Sequence, residues 1–244
     1  MKGIVLAGGY GTRLGALTKS VSKQLLPVYD QPLIHYPLHT LKQLGCDDIA
    51  IITRPDNQEQ FQVLLGSDFT YLTQDKPEGI AQAPIIAQEW LNGEPFYLIL
   101  GDNIFIEAPR LADYAPMVDG PVICLADVAK PWRYGCLVRD KKLVEKPILG
   151  RNEAKAVAGL YFLPGFAPSI ARTMRKSRRG ELEILSLITK LQDEIRITWP
   201  SYRTVRALEM GHPWFDCGTP EDLLDAANCI KALRTRHNSK LGIL

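Results

Sequence analysis

Nearly continuous apolar runs alternate with helical periodicity through the first half of the chain. Lys2–Ala7, Asp48–Thr53, Tyr97–Leu100 and Val122–Val128 have the pattern of strands buried on both faces. Between them, Pro32–Leu44, Gln58–Leu65 and Ala81–Leu91 repeat apolar residues at helical spacing. Pro37 inside the first of these predicts a kink or a late start. This alternation predicts an α/β fold, a mostly parallel central sheet flanked by helices with right-handed crossovers. Ligands of such sheets bind beyond the carboxyl ends of the strands. Gly8–Arg13 and Gly101-Asp102-Asn103 both fall at that edge.

The pattern changes after about residue 130. Tyr134–Arg139 and Leu143–Glu145 flank Asp140-Lys141-Lys142, which reads as a hairpin, and Ala156–Leu163 reads as another strand. These predict a small antiparallel extension. No Gly/Ser/Pro-rich linker divides the chain, so residues 1–233 are expected to form one domain, with a mobile basic tail over 234–244. The last helix is signalled by Thr219 as N-cap, Pro220 at the first helical position, and Glu221 and Asp222 in the first turn. Leu223, Ala226, Ala227, Ile230 and Leu233 give it an apolar face.

Composition narrows the classes. The 244 residues are 46% hydrophobic and 23% charged, as in ordinary globular proteins. A formal charge of +2 gives no field that would recruit nucleic acid or a membrane surface. A basic cluster at Arg172, Arg175, Lys176, Arg178 and Arg179 reads as a solvated helix face. Five scattered cysteines without C-x-x-C argue against a disulfide framework and suit a reducing compartment. With no charged-then-apolar leader and no apolar run near the roughly 20 residues of a membrane helix, a cytoplasmic protein is expected. The four histidines show no zinc-ligand spacing.

The candidate chemistry starts at Leu6-Ala7-Gly8-Gly9-Tyr10-Gly11-Thr12-Arg13-Leu14. A buried strand entering a glycine-rich turn presents backbone N–H groups to an anion, phosphate above all, and Arg13 adds a cationic fork. Leu14 occupies the third glycine position of a dinucleotide fingerprint, and no G-K-[ST] follows the glycines as a P-loop requires. A nucleoside triphosphate site is the reading that remains, with a plain tight turn as the alternative. Lys23, ten residues beyond Arg13, is placed to fold back as a second cation. Asp102 and Asp216 each end a short strand, and two such carboxylates suit Mg²⁺. Pro147 is expected to force Lys146 into extended geometry, from which it would reach a monophosphate while Glu145 accepts sugar hydroxyls; on the residues alone, a surface ion pair is the default reading of the pair.

Seven motifs in order, Leu6–Leu14, Ser22–Asp30, Gly101–Phe105, Glu145-Lys146-Pro147, Ala158–Phe162, Arg179–Ile184 and Trp214–Thr219, closely resemble the sugar-1-phosphate nucleotidylyltransferases. The resemblance runs to about residue 233. It implies a Rossmann-like sheet with a sugar-binding extension. It also implies a Mg²⁺-dependent attack of a sugar 1-phosphate, glucose 1-phosphate foremost, on the α-phosphorus of dTTP or UTP. By motif, Leu6, Gly8, Gly9, Gly11, Thr12 and Arg13 would hold the nucleotide, with Lys23 on the leaving side and Gln24 beside it. Gln74 and Gly79 would read the pyrimidine edge, and Asp102 and Asp216 would hold the metal. Lys146 would grip the attacking phosphate with help from Arg179, and Tyr134, Gly135, Glu145, Gly159, Tyr161 and Trp214 would line the sugar pocket. Residues 1–130 would thus form the nucleotide part and 131–233 the sugar-phosphate part.

The chain departs from the family pattern in three places. Leu185-Ser186 stands where Thr-Asp is usual, removing a hydroxyl near the sugar, so a sugar other than glucose is an alternative. Ala158 replaces a usual threonine. The chain is some tens of residues shorter than longer members, and the Met210–Pro213 loop is shorter too, so their feedback site and tetramer are not carried over and homo-oligomerisation stays open. A non-catalytic nucleotide-sugar-binding relative is the competing reading. The intact set Arg13, Lys23, Asp102, Lys146 and Asp216 favours catalysis.

Overall fold

The computed structural model describes residues 1–113, 120–139, 142–150, 153–198 and 206–237. Among the described residues thirteen strands occur in order: β1 Lys2–Leu6, β2 Pro27–Val28, β3 Gln31–Pro32, β4 Asp48–Thr53, β5 Thr70–Thr73, β6 Phe96–Leu100, β7 Asn103–Phe105, β8 Val122–Ala126, β9 Gly135–Val138, β10 Leu143–Glu145, β11 Ala154–Leu163, β12 Arg206–Glu209 and β13 Trp214–Asp216. The helices are α1 His35–Gln43, α2 Gln58–Leu65, α3 Gln82–Ile86, α4 Gln88–Leu91, α5 Ala167–Arg172, α6 Ile184–Thr198 and α7 Pro220–His237.

Nine strands share one mixed sheet whose main path is β10-β9-β11-β6-β1-β4-β5, and β8 lies between β11 and β12. The strands β6, β1 and β4 are parallel, as their double-sided apolar runs predict, and β5, a partly exposed strand without such a run, adds parallel to β4. Successive residues divide between the two faces. Ile4, Ile52 and Leu98 pack with α3 to α6, whereas Val5, Ile51 and Ile99 pack with α1 and α2. A third cluster (Val28, Leu33, Tyr36, Ile104, Cys217, Ala226 and Ile230) seats α7. The expected cap is formed, with the Asp222 N–H donating to Thr219 Oγ1 at 3.2 Å. No helix among the described residues is long and apolar enough to cross a membrane.

Register positions the site. Leu6 lies opposite both Ile52 and Leu100, so three strands end level. The chain leaves β1 for β4 on one side and returns to β6 on the other, which opens a crevice at the end of β1. A second opening lies along β11. Residues 154–156 pair with β9, and residues 160–163 pair with β6 along the same edge. A bulge against β8 falls between Val157 and Tyr161, and Gly159 occupies the stretch between the two ladders.

Several boundaries differ from the sequence reading. β8 stops at Ala126, two residues short of Val128. α1 starts late, at His35, because Gln31–Pro32 pairs with Pro27–Val28. Pro37 then sits in the first turn, where no N–H is needed. Ala81–Leu91 breaks at Ala87 into α3 and α4. The expected antiparallel strands extend the same sheet, since β11 pairs directly with β6. The hairpin turn residues Asp140 and Lys141 lie outside the described residues, as do residues 238–244 of the basic tail, whose first residues continue α7 to His237. Within the basic cluster, Arg172 alone is helical, and residues 175–179 form a connecting segment.

Two backbone bonds stitch the segment after β5 to the one before α6. The Leu182 N–H donates to the Glu78 carbonyl at 2.6 Å, and the Ala81 N–H donates to the Leu182 carbonyl at 3.1 Å. Gly79, at φ +110°, permits this approach, for a Cβ there would stand 2.4 Å from the Leu182 oxygen. Gly79→Ala should therefore strip hydrogen-exchange protection from the Ala81 and Leu182 amides while β1 and β4 keep theirs. Unchanged protection at both amides would contradict the stitch.

Candidate functional site

A cleft of about 400 Å³ lies at the ends of β1 and β6 and runs along the gap in β11. It brings together Leu6, Gly9, Arg13, Lys23, Gln24, Gln74, Gly79, Asp102, Tyr134, Gly135, Glu145, Lys146, Gly159, Tyr161, Arg179, Trp214 and Asp216. Gly8, Gly11 and Thr12 are not on its wall but belong to the loop behind it. Gly11 sits at φ +66°, so the turn itself requires a glycine, and a Cβ on Gly8 would come within 2.1 Å of Gln74 Oε1. The loop leads into a 3₁₀ segment, Thr12–Thr18, broken at Gly15. Arg13 is exposed and lies against Gly218, leaving no room for a side chain there.

The two acids are neighbours by strand pairing. β7 begins one residue after Asp102, and its Asn103 pairs with Asp216 of β13. The Cys217 N–H donates to the Asp102 carbonyl at 2.9 Å. Burial alone would raise the Asp102 carboxyl, but the Lys23 ammonium in contact with it prevails and holds it below the usual carboxylate range. Among the described residues no cation makes an ion pair with Asp216. Burial, and then the charge on Asp102, push its carboxyl up. Two carboxylates thus stand close together at a strand pair, with the Lys23 ammonium in contact with Asp102. Among the described residues no cluster of three or more His, Cys, Asp and Glu stands ready for a metal. A pair of carboxylates fits an ion that takes one or two of them and completes its shell with phosphate oxygens and water, as Mg²⁺ does.

Asn103 is the residue the sequence reading passed over, although it stands inside Gly101-Asp102-Asn103. It is 1% exposed. Its Oδ1 accepts from the Gly159 N–H at 3.0 Å and from Trp214 Nε1 at 2.7 Å, while its Nδ2 donates to Asp102 Oδ1 at 3.0 Å. One side chain therefore ties the acid to the β11 gap and to the aromatic wall, where Tyr134 and Trp214 lie 5.3 Å apart.

The far wall is acidic and basic at once. Arg179 donates to Glu183 through Nε at 3.1 Å and Nη2 at 2.7 Å, and the same Nη2 stands 3.6 Å from Glu145. Arg179 stays exposed, and three glutamates, 145, 181 and 183, converge on it and hold it on the cleft wall. Burial and then the Glu183 charge raise the Glu145 carboxyl. Leu185 is buried beside Gly135, where a Cβ would meet its Cδ1 at 2.7 Å.

Lys146 is not extended. Its φ is +47°, one of three positive values at non-glycine residues among those described, and its N–H donates to the Tyr134 carbonyl at 3.0 Å. That bond closes the end of the β9–β10 pair and outweighs the preference set by Pro147. A left-handed lysine on a cleft wall is the kind of strain that sites retain.

The nucleotidyl transferase family model matches residues 2–232. A curated glucose-1-phosphate thymidylyltransferase from Mycobacterium tuberculosis is 39% identical, with 100% of this chain and 86% of that relative covered. Another, from Mycolicibacterium smegmatis, is 41% identical, covering 99% and 86%. A solved Bacillus anthracis structure assigned as a glucose-1-phosphate thymidylyltransferase, in complex with a sucrose, superposes with a TM-score of 0.82 at 33% identity over 94% of both chains. A UDP-glucose pyrophosphorylase with UDP-glucose shares the fold at 23% identity, TM-score 0.79, covering 96% of this chain and 99% of that one.

Asn103→Leu keeps the volume and leaves two buried donors without an acceptor. It should lower unfolding stability by about 2–5 kcal/mol and change the fluorescence of Trp214. A loss under about 1 kcal/mol in chemical denaturation would contradict the anchoring role.

Proposed function

Because this chain belongs to the nucleotidyl transferase family, we propose that its cleft joins a sugar 1-phosphate, glucose 1-phosphate foremost, to dTTP and releases pyrophosphate. The observation that carries this reading is one cleft with a glycine loop and Arg13 at one end, two acids at its centre, and Lys146 with Glu145 at the other. The relatives' names, at 39–41% identity across almost the whole chain, support the choice of nucleotide and sugar.

The amides of Gly8, Gly9, Gly11 and Thr12, with Arg13, hold the triphosphate beyond Leu6. Lys23 lies on the side of the departing pyrophosphate, with Gln24 beside the nucleotide. Gln74 and Gly79 meet the pyrimidine edge. Lys146 delivers a point charge to the sugar phosphate, and Arg179 holds Glu145 toward the sugar hydroxyls within the wall formed by Tyr134, Gly135, Gly159, Tyr161 and Trp214. A phosphate oxygen of the sugar phosphate then attacks the α-phosphorus in line. The bond to the bridging oxygen breaks, and pyrophosphate leaves without a covalent enzyme intermediate. Asp102 and Asp216 would hold Mg²⁺, which neutralises charge developing on the phosphates when bound. Residues 1–130 supply the nucleotide contacts and 131–233 the sugar-phosphate contacts of a single domain, and the substrates place the reaction in the cytoplasm.

The test is pyrophosphate release across a matrix of nucleoside triphosphates and sugar 1-phosphates with Mg²⁺. Release with dTTP should require a sugar 1-phosphate, glucose 1-phosphate giving the highest rate. Release without the sugar phosphate, or from no pair, would overturn the proposal. A higher rate with another sugar would assign the apolar Leu185 wall to that sugar instead.

A further inference from the structure

We infer that Gln82 is a positioning residue that fixes which way the Gln74 amide faces, and through it selects a nucleobase carrying a ring N–H donor. The inference rests on the triphosphate reading of the cleft and deepens it.

The argument starts at the backbone. The Glu78 N–H reaches Gln82 at 3.0 Å. A backbone N–H only donates, so the atom it meets is the Gln82 oxygen, Oε1. The same oxygen lies 2.6 Å from the Gln74 amide. An oxygen that already accepts there needs a second donor, so the Gln74 atom facing it is Nε2. The Gln74 amide therefore cannot turn over without setting two bare oxygens against each other. Its Oε1 projects the other way, across Gly8, where a Cβ would come within 2.1 Å. Gln74 is 2% exposed, so water does not restore a lost bond. The Gln74 backbone is fixed as well, its N–H donating to the Thr53 carbonyl at 2.7 Å at the end of β4.

Gln74 lines the cleft and offers it the Oε1 acceptor, with one of its two N–H donors engaged by Gln82. Thymine and uracil carry N3–H and complement that acceptor. Cytosine presents a lone pair at N3 and opposes it. Sites built on a buried hydrogen bond discriminate strongly against an analogue that lacks the matching group. The choice between thymine and uracil, which differ by a methyl, lies outside this device.

The experiment is steady-state pyrophosphate release by the full chain with glucose 1-phosphate and dTTP, UTP or dCTP, for wild type, Gln82→Leu and Gln82→Glu. Glutamate keeps acceptor oxygens for both donors, and leucine keeps bulk without them. Wild type should prefer dTTP and UTP over dCTP by at least about 100-fold in kcat/KM. Gln82→Leu should erode that ratio at least about tenfold through KM, with kcat for dTTP little changed, and Gln82→Glu should retain it. An unchanged ratio in Gln82→Leu, or equal losses in both variants, overturns the inference. Should Gln82→Leu not fold, wild type decides the matter with N3-methylthymidine triphosphate as competitor. Binding at least about 100-fold weaker than dTTP is expected, and equal binding overturns the inference. No release by wild type with any triphosphate would instead overturn the reading beneath it.

Discussion

Buried Asp102 and half-buried Asp216 lie close enough to repel each other, and most of the site's architecture manages that repulsion. Asp102 remains ionised because the Lys23 ammonium lies on it, and Asp216 is raised because it has burial and a like charge and no matching cation in contact. Burying such a pair is costly unless something compensates it. Under the proposed function, a bound cation would supply that compensation. The pairing of β7 with β13 fixes the two acids close together although they stand far apart in the chain.

The neighbouring parts are held by backbone geometry more than by loops. Level strand ends put the glycine turn and Asp102 at one edge. The handover of β11 from β9 to β6 leaves Gly159 unpaired by the sheet, and Asn103 fills the vacancy with its side chain. The Glu78–Leu182 bond joins the stretch bearing Gln74 to the stretch bearing Glu183. The wall bearing Gln74 and the wall bearing Glu183 are therefore parts of one hydrogen-bonded frame, and neither can shift without straining the other.

Much of this was legible in the residues. β4 and α2 fall where the periodicity places them, because a double-sided apolar run and an amphipathic octad are unambiguous signals. Strand-end acids after glycines located Asp102, and a Thr-Pro-Glu-Asp cap located α7. α6 keeps helical spacing at Ile184, Leu187, Ile188, Leu191 and Ile195, although the sequence reading names no helix there. Asn103 was missed because a buried asparagine has no periodic signature. Its importance depends on three partners, two of them distant in sequence. The left-handed Lys146 ran against a local preference that a cross-strand bond overrides.

The central claim, that Asp102 and Asp216 form one centre, is tested most directly by counting Mn²⁺ bound in place of Mg²⁺, by electron paramagnetic resonance in the presence of dTTP. The account predicts bound metal in the wild-type ternary complex, and loss of enzyme-dependent binding beyond the dTTP-only control in both Asp102→Asn and Asp216→Asn, each with an unchanged far-ultraviolet circular dichroism spectrum. Wild-type levels of metal in either folded variant would contradict it.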